Sequence, residues 1–79
     1  MNLTLVTSNN CNTCKRVETK LKQFITSHKD LILAVVNINE YRRKGIVIVP
    51  ALFIEDELFS YGDVDEQKLL ARLNRFSPV

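Results

Sequence analysis

Hydrophobic and polar positions divide the chain into six short elements whose period changes from one to the next. Residues 3–7, Leu-Thr-Leu-Val-Thr, read as a first strand, and the polar cluster Ser8-Asn9-Asn10 supplies turn and cap chemistry after it. From there Cys14, Val17, Leu21, Phe24, Ile25 and His28 follow three-and-four spacing, while Lys15, Lys20 and Lys22 fall elsewhere on the wheel. That spacing predicts a helix over residues 11–27 with one buried stripe. Residues 31–38 form a nearly continuous apolar run between Asp30 and Asn39, the pattern of a strand buried on both faces. Strand, helix and strand make a right-handed parallel unit.

A polar stretch, residues 40–45, leads to a second apolar block that contains Pro50. Proline suits a strand's first position, so the third strand starts there, continues through Ala51-Leu52-Phe53-Ile54, and leaves residues 46–49 as loop. Glu55-Asp56 turns the chain into a fourth strand, residues 57–61, which Gly62 ends. Asp63 or Asp65 caps a last helix whose apolar positions are Val64, Leu69, Leu70, Leu73 and Phe76, and Asp63 with Glu66 matches a capping box. Residues 77–79 are a frayed tail. The expected fold class is α/β, a mixed four-stranded sheet in the order β-α-β-β-β-α packed with two main helices, as one domain over residues 1–79.

Topology then brings distant residues together. Parallel first and second strands end at the same sheet edge, and an antiparallel third strand begins there. The pair Cys11 and Cys14, the basic Arg42-Arg43-Lys44, the Val49-Pro50 bond and Gly62-Asp63 all fall at that edge.

Composition narrows the possibilities. With 79 residues, hydrophobic burial leaves only a thin stability margin, and 46% hydrophobic with 25% charged residues fits a chain folded throughout. The net charge of +2, with basic and acidic residues mixed, argues against a nucleic-acid partner. No apolar run reaches the roughly 18 residues that span a bilayer, and no leader pattern opens the sequence. The expectation is therefore a cytoplasmic protein, without membrane association, working as a monomer.

Cys11-Asn12-Thr13-Cys14 is where the chemistry lies. A spacing of three on a helix's first turn puts both sulfurs on one side, and the unsatisfied N–H groups there favour a thiolate. Three readings are open: a redox dithiol, a metal or iron-sulfur site pooled between two chains, and inert core cysteines. An intramolecular zinc site lacks partners, since only the distant His28 accompanies the two cysteines. His28, near the end of the first helix, reads as structural, and Lys15 and Arg16 as a solvated face. Arg42-Arg43-Lys44 can attract an acidic protein or glutathione, or be a solvated loop. Gly62 reads as a backbone requirement of the strand-to-helix turn.

The order strand, Cys11-x-x-Cys14, helix, strand, Gly45-Ile46-Val47-Ile48-Val49-Pro50, hairpin, Gly62-x-Val64 and last helix resembles the thioredoxin-like superfamily in a minimal, glutaredoxin-sized form. The likeness covers nearly the whole chain. It implies thiol-disulfide exchange with Cys11 as nucleophile, Cys14 as resolving cysteine, and Pro50 as a cis-proline preceded by Val49. Val49, Pro50, Gly62 and Asp63 are then the expected substrate-binding positions. The partners it implies are disulfide-containing proteins, with a reductase or glutathione as electron source; no cofactor is needed. An adaptor that keeps the fold without turnover is the further alternative. The sequence departs from that family in having no tryptophan, no proline between the cysteines, no carboxylate in residues 3–7, and a helix after the second strand cut to about one turn.

Overall fold

The computed structural model describes residues 1–41 and 48–76. Its elements are β1 (Asn2–Thr7), α1 (Asn12–Thr26), β2 (Ile32–Asn37), β3 (Ala51–Ile54), β4 (Glu57–Tyr61) and α2 (Glu66–Phe76). The four strands form one sheet in the order β2-β1-β3-β4. β1 runs parallel to β2, antiparallel to β3, and β3 runs antiparallel to β4. The α/β class and the element order expected from the sequence are those observed.

Alternation along the strands divides the apolar side chains between two faces. Leu3, Leu5, Leu52 and Ile54 point to one face, where Val17, Leu21 and Phe24 of α1 and Leu69 and Leu73 of α2 pack with Val64 and Leu31. Val6, Ala51 and Phe53 point to the other, covered by Val36, Ile38, Tyr41 and Val49. The Tyr41 and Phe53 rings meet there at 5.5 Å.

Two sequence expectations are corrected by these positions. β2 is not buried on both faces: it lies at the sheet edge, paired with β1 alone, and Ile32 is 63% exposed. The doubly buried strand is β3, every residue of which is buried between β1 and β4. Leu70, grouped with the core positions of the last helix, points outward and is 40% exposed, while Leu69 and Leu73 face the sheet.

The hairpin turn shows how the chain does without glycine. Glu55 and Asp56 both have positive φ, 47° and 70°, the signature of a type I′ turn. That conformation is costly for glutamate. Here the Asn2 N–H donates to Glu55 Oε1 at 2.7 Å, and the Glu55 N–H donates to the Asn2 carbonyl at 3.0 Å, so β1 holds the turn in place. One extra residue near Leu52 and Phe53 bulges the β3–β4 pair. Phe59 of β4 packs against the helix-side core and carries Arg72 of α2 over its ring at 5.6 Å.

Candidate active site

β1 and β2 end side by side, Thr7 opposite Asn37, and the loop between β1 and α1 is fixed by the end of β2. Asn37 Nδ2 donates to Asn9 Oδ1 at 3.1 Å, and the Ile38 N–H donates to the Thr7 carbonyl at 2.7 Å. Asn10 then adopts φ 58°, a left-handed conformation that asparagine tolerates better than other side chains do. This reverses the chain so that Cys11 arrives extended, at φ −109° and ψ 105°, as the N-cap of α1.

Cys11 uses its sulfur where helices ordinarily place an oxygen. Its Sγ accepts from the Cys14 N–H at 3.0 Å, satisfying one of the donors that a helix start leaves without an intrahelical partner. Its carbonyl accepts from the Lys15 N–H at 3.2 Å, beginning the helical ladder. Cys11 is half-buried, whereas Cys14 is 2% exposed and lies on the core side of the helix. The two are joined as a disulfide with Cα atoms 5.2 Å apart, an ordinary separation for such a bridge. After reduction, the same N–H points at whichever charge develops on Cys11.

The other expected site residues reach this edge through the sheet register. Ala51, the first residue of β3, pairs with Val6 on one side and Tyr61 on the other, so Val49, Pro50 and Gly62 lie beyond the same strand ends as the cysteines. The Val49–Pro50 peptide is cis, the isomer expected. The Gly62 N–H donates to the Pro50 carbonyl at 2.7 Å, and Gly62 has φ 74°, so glycine at this turn answers a conformational demand. Arg42-Arg43-Lys44 lies outside the described residues.

Asp63 has a different role from the cap suggested by its spacing to Glu66. Asp65 caps α2: its Oδ1 accepts from Gln67 N at 2.9 Å and Lys68 N at 3.3 Å. Asp63 instead receives Arg16 from the first turns of α1. Nη2 donates to Oδ1 at 3.0 Å and to Oδ2 at 3.2 Å, and Nε donates to Oδ1 at 3.3 Å. One turn along, Lys20 Nζ donates to the Val64 carbonyl at 3.1 Å. Arg16 is thus a strap between the cysteine helix and the Gly62–Asp63 turn, which wheel position alone did not disclose.

His28 sits just past the Ser27 C-cap. Its Nδ1 is 2.9 Å from the Phe24 carbonyl and its ring stacks on Phe24 at 4.2 Å, so it closes the helix end and takes no part in the site. Beside the cysteines a surface cleft is lined by Thr7, Ser8, Asn9, Asn10, Cys11, Cys14, Lys15 and Glu18. Among the described residues, no three His, Cys, Asp or Glu side chains converge as metal ligands, and no helix is long and apolar enough to cross a membrane.

The joined cysteine pair spans the first turn of α1, directly after the interior strand β1. The family model described as a thioredoxin domain matches residues 1–74. The chain belongs to the thioredoxin domain family. Among solved structures it is similar to thioredoxin f2 of Chlamydomonas reinhardtii, with a TM-score of 0.71 over 99% of this chain and 80% of that one. At 18% identity that likeness is one of fold. No curated protein matches the sequence. The family, the fold and the joined Cys11–Cys14 pair together support thiol-disulfide redox chemistry at the level of the family.

Proposed function

We propose that this thioredoxin-domain protein is a dithiol oxidoreductase that passes electrons between its Cys11/Cys14 pair and disulfides of partner proteins. The observation that carries this reading is the asymmetry of the pair: Cys11 caps the helix through its sulfur and is partly open to solvent, and Cys14 lies buried one turn further on. Cys11 as thiolate attacks a partner disulfide, forming a mixed disulfide and releasing one partner thiolate. Cys14 then attacks Cys11 Sγ, closes the internal bridge and releases the second thiol. Both electrons come from the dithiol, so no cofactor takes part. Val49, Pro50, Gly62 and Asp63 frame the edge on which an extended partner segment lies, with backbone pairing as in strand addition. A reductase or glutathione returns the pair to the dithiol form in the cytoplasm, where the protein acts as a monomer.

Reduction of insulin disulfides by dithiothreitol tests the proposal. The protein should accelerate insulin precipitation and Cys11→Ser should abolish the acceleration. A wild-type rate no faster than dithiothreitol alone would leave an adaptor role. A brown or zinc-loaded preparation would instead favour metal held between two chains.

A further inference from the structure

We propose that Glu18 accepts the proton of Cys14 during the step that releases the partner. The inference rests on the dithiol exchange proposed above and adds a residue to it.

Cys14 poses a problem that Cys11 does not. Cys14 is 2% exposed, and burial opposes formation of a thiolate. The backbone donor that stabilises Cys11 belongs to Cys14 itself and points away, toward the first cysteine. To attack the mixed disulfide, the Cys14 thiol must therefore hand its proton to something within reach.

Among the described residues, the cleft that opens onto both cysteines contains one carboxylate. Its lining comprises five uncharged or weakly polar groups of the strand end and loop, Thr7, Ser8, Asn9, Asn10 and Cys11, together with Cys14, Lys15 and Glu18. Glu18 stands four residues after Cys14, so the helical repeat stacks the two side chains on neighbouring turns of one face. Its side chain is 32% exposed and is held by Lys22 Nζ at 2.8 Å. The cleft, about 520 Å³ and open to solvent, has room for a water between carboxylate and thiol. Among the described residues, the charged groups beside Glu18 are Lys22 and Lys15 on its own helix. The loop opposite contributes none to the cleft, and β2, against which α1 packs, consists of Ile-Leu-Ala-Val-Val-Asn.

The Cys14 S–H proton passes through water to the Glu18 carboxylate as the Cys14 sulfur attacks Cys11 Sγ. The Cys14–Cys11 bond forms, the bond from Cys11 to the partner sulfur breaks, and the partner leaves as a thiolate. That thiolate collects the proton from Glu18 through the same solvent.

Reduced protein mixed with excess dithiobis(nitrobenzoate) separates the two stages, because Cys11 releases the first coloured thiolate and resolution by Cys14 releases the second. In Glu18→Gln the first phase should stay within about threefold of wild type, and the second should slow by about a hundredfold near neutral pH, the low end of general-base effects. The deficit should shrink as the solution becomes alkaline, where hydroxide takes the Cys14 proton in place of Glu18, and Glu18→Asp should recover part of the rate. Second phases of wild type and Glu18→Gln that run parallel across about pH 6 to 9, equal or offset, would overturn the role of Glu18. Absence of the first phase from wild type would overturn the dithiol exchange itself, and this proposal with it.

Discussion

Reduced protein exposed to iodoacetamide should be alkylated at Cys11 well before Cys14, and the structure sets the size of the difference. The Cys11 sulfur accepts the Cys14 N–H at 3.0 Å. A hydrogen bond to a charged acceptor contributes about 1.5–3 kcal/mol. At one tenfold step per 1.4 kcal/mol, that is roughly a 10- to 150-fold shift toward thiolate. Cys14, 2% exposed, has neither this donor nor free access for the reagent. The expected ratio of rates at neutral pH is therefore at least about tenfold. Its pH dependence has a definite sign. Stabilising the thiolate keeps Cys11 reactive at lower pH than a free cysteine, which titrates near about 8.5. Selectivity should thus be greatest near neutrality and shrink as the solution becomes alkaline. Quenched time points, digestion and mass spectrometry of the two labelled positions measure both rates. Equal rates, faster labelling of Cys14, or selectivity that rises with pH would refute the claim that the sulfur cap generates the nucleophile.

Two further substitutions test the frame around the site. Leu21→Asp and Leu73→Asp each place a charge in the core, where the native residues are 0% and 6% exposed, and should each remove about 4 kcal/mol, much of the stability of a domain this small; Leu70→Asp, at an outward position, should shift the urea midpoint by little, and equal midpoints for all three would sink the assigned helix faces. Asn10→Val should cost about 1–2 kcal/mol because a β-branched side chain resists the left-handed backbone before Cys11, while Asn10→Gly should be near neutral; thermal melts of equal midpoint for the two variants would show that this conformation is not demanded.

Local pattern disclosed the elements, while their neighbours in the sheet decided burial. The helical spacing of Val17, Leu21 and Phe24 predicts their common burial because periodicity is a property of the helix itself. The apolar run 31–38 resembles a central strand, yet strand order is a global property, and β3 with four apolar residues takes the interior place. The type I′ turn at Glu55-Asp56 was illegible for a related reason: the partner that stabilises its left-handed glutamate is Asn2, at the other end of the chain. Leu70 follows Leu69 directly, and only one of two adjacent helical residues can face a flat sheet.

The site divides in the same way. Cys11 and Cys14 are legible because their interaction lies within one helical turn, and Pro50 because strand direction fixes which edge it reaches. Asp63 and Arg16 each carry a bland local reading, a cap and a solvated cation, and their pairing is a contact across 47 positions. Glu18 had a local signal, its place four residues after Cys14, which acquires meaning only once the cleft beside the buried sulfur is in view.

The contacts that join the cysteine helix to the rest of the edge act on position more than on stability. Arg16 and Asp63 are 59% and 60% exposed, and exposed ion pairs contribute about 0–1 kcal/mol, so this pair adds little to the fold despite its forked geometry. Its two ends nonetheless belong to α1, just past the motif, and to the turn that receives the Pro50 carbonyl through Gly62. A second tether, Lys20 to the Val64 carbonyl, lies one helical turn along on the same side. Together they oppose rotation of α1 about its axis. Such rotation would carry the Cys11 sulfur relative to Pro50 and would also lift the buried stripe of Val17, Leu21 and Phe24 off the core, so burial and the polar tethers resist it together. Hydrophobic contacts hold the helix on the sheet, and polar contacts at the reactive end tie its first turns to the Gly62–Asp63 turn.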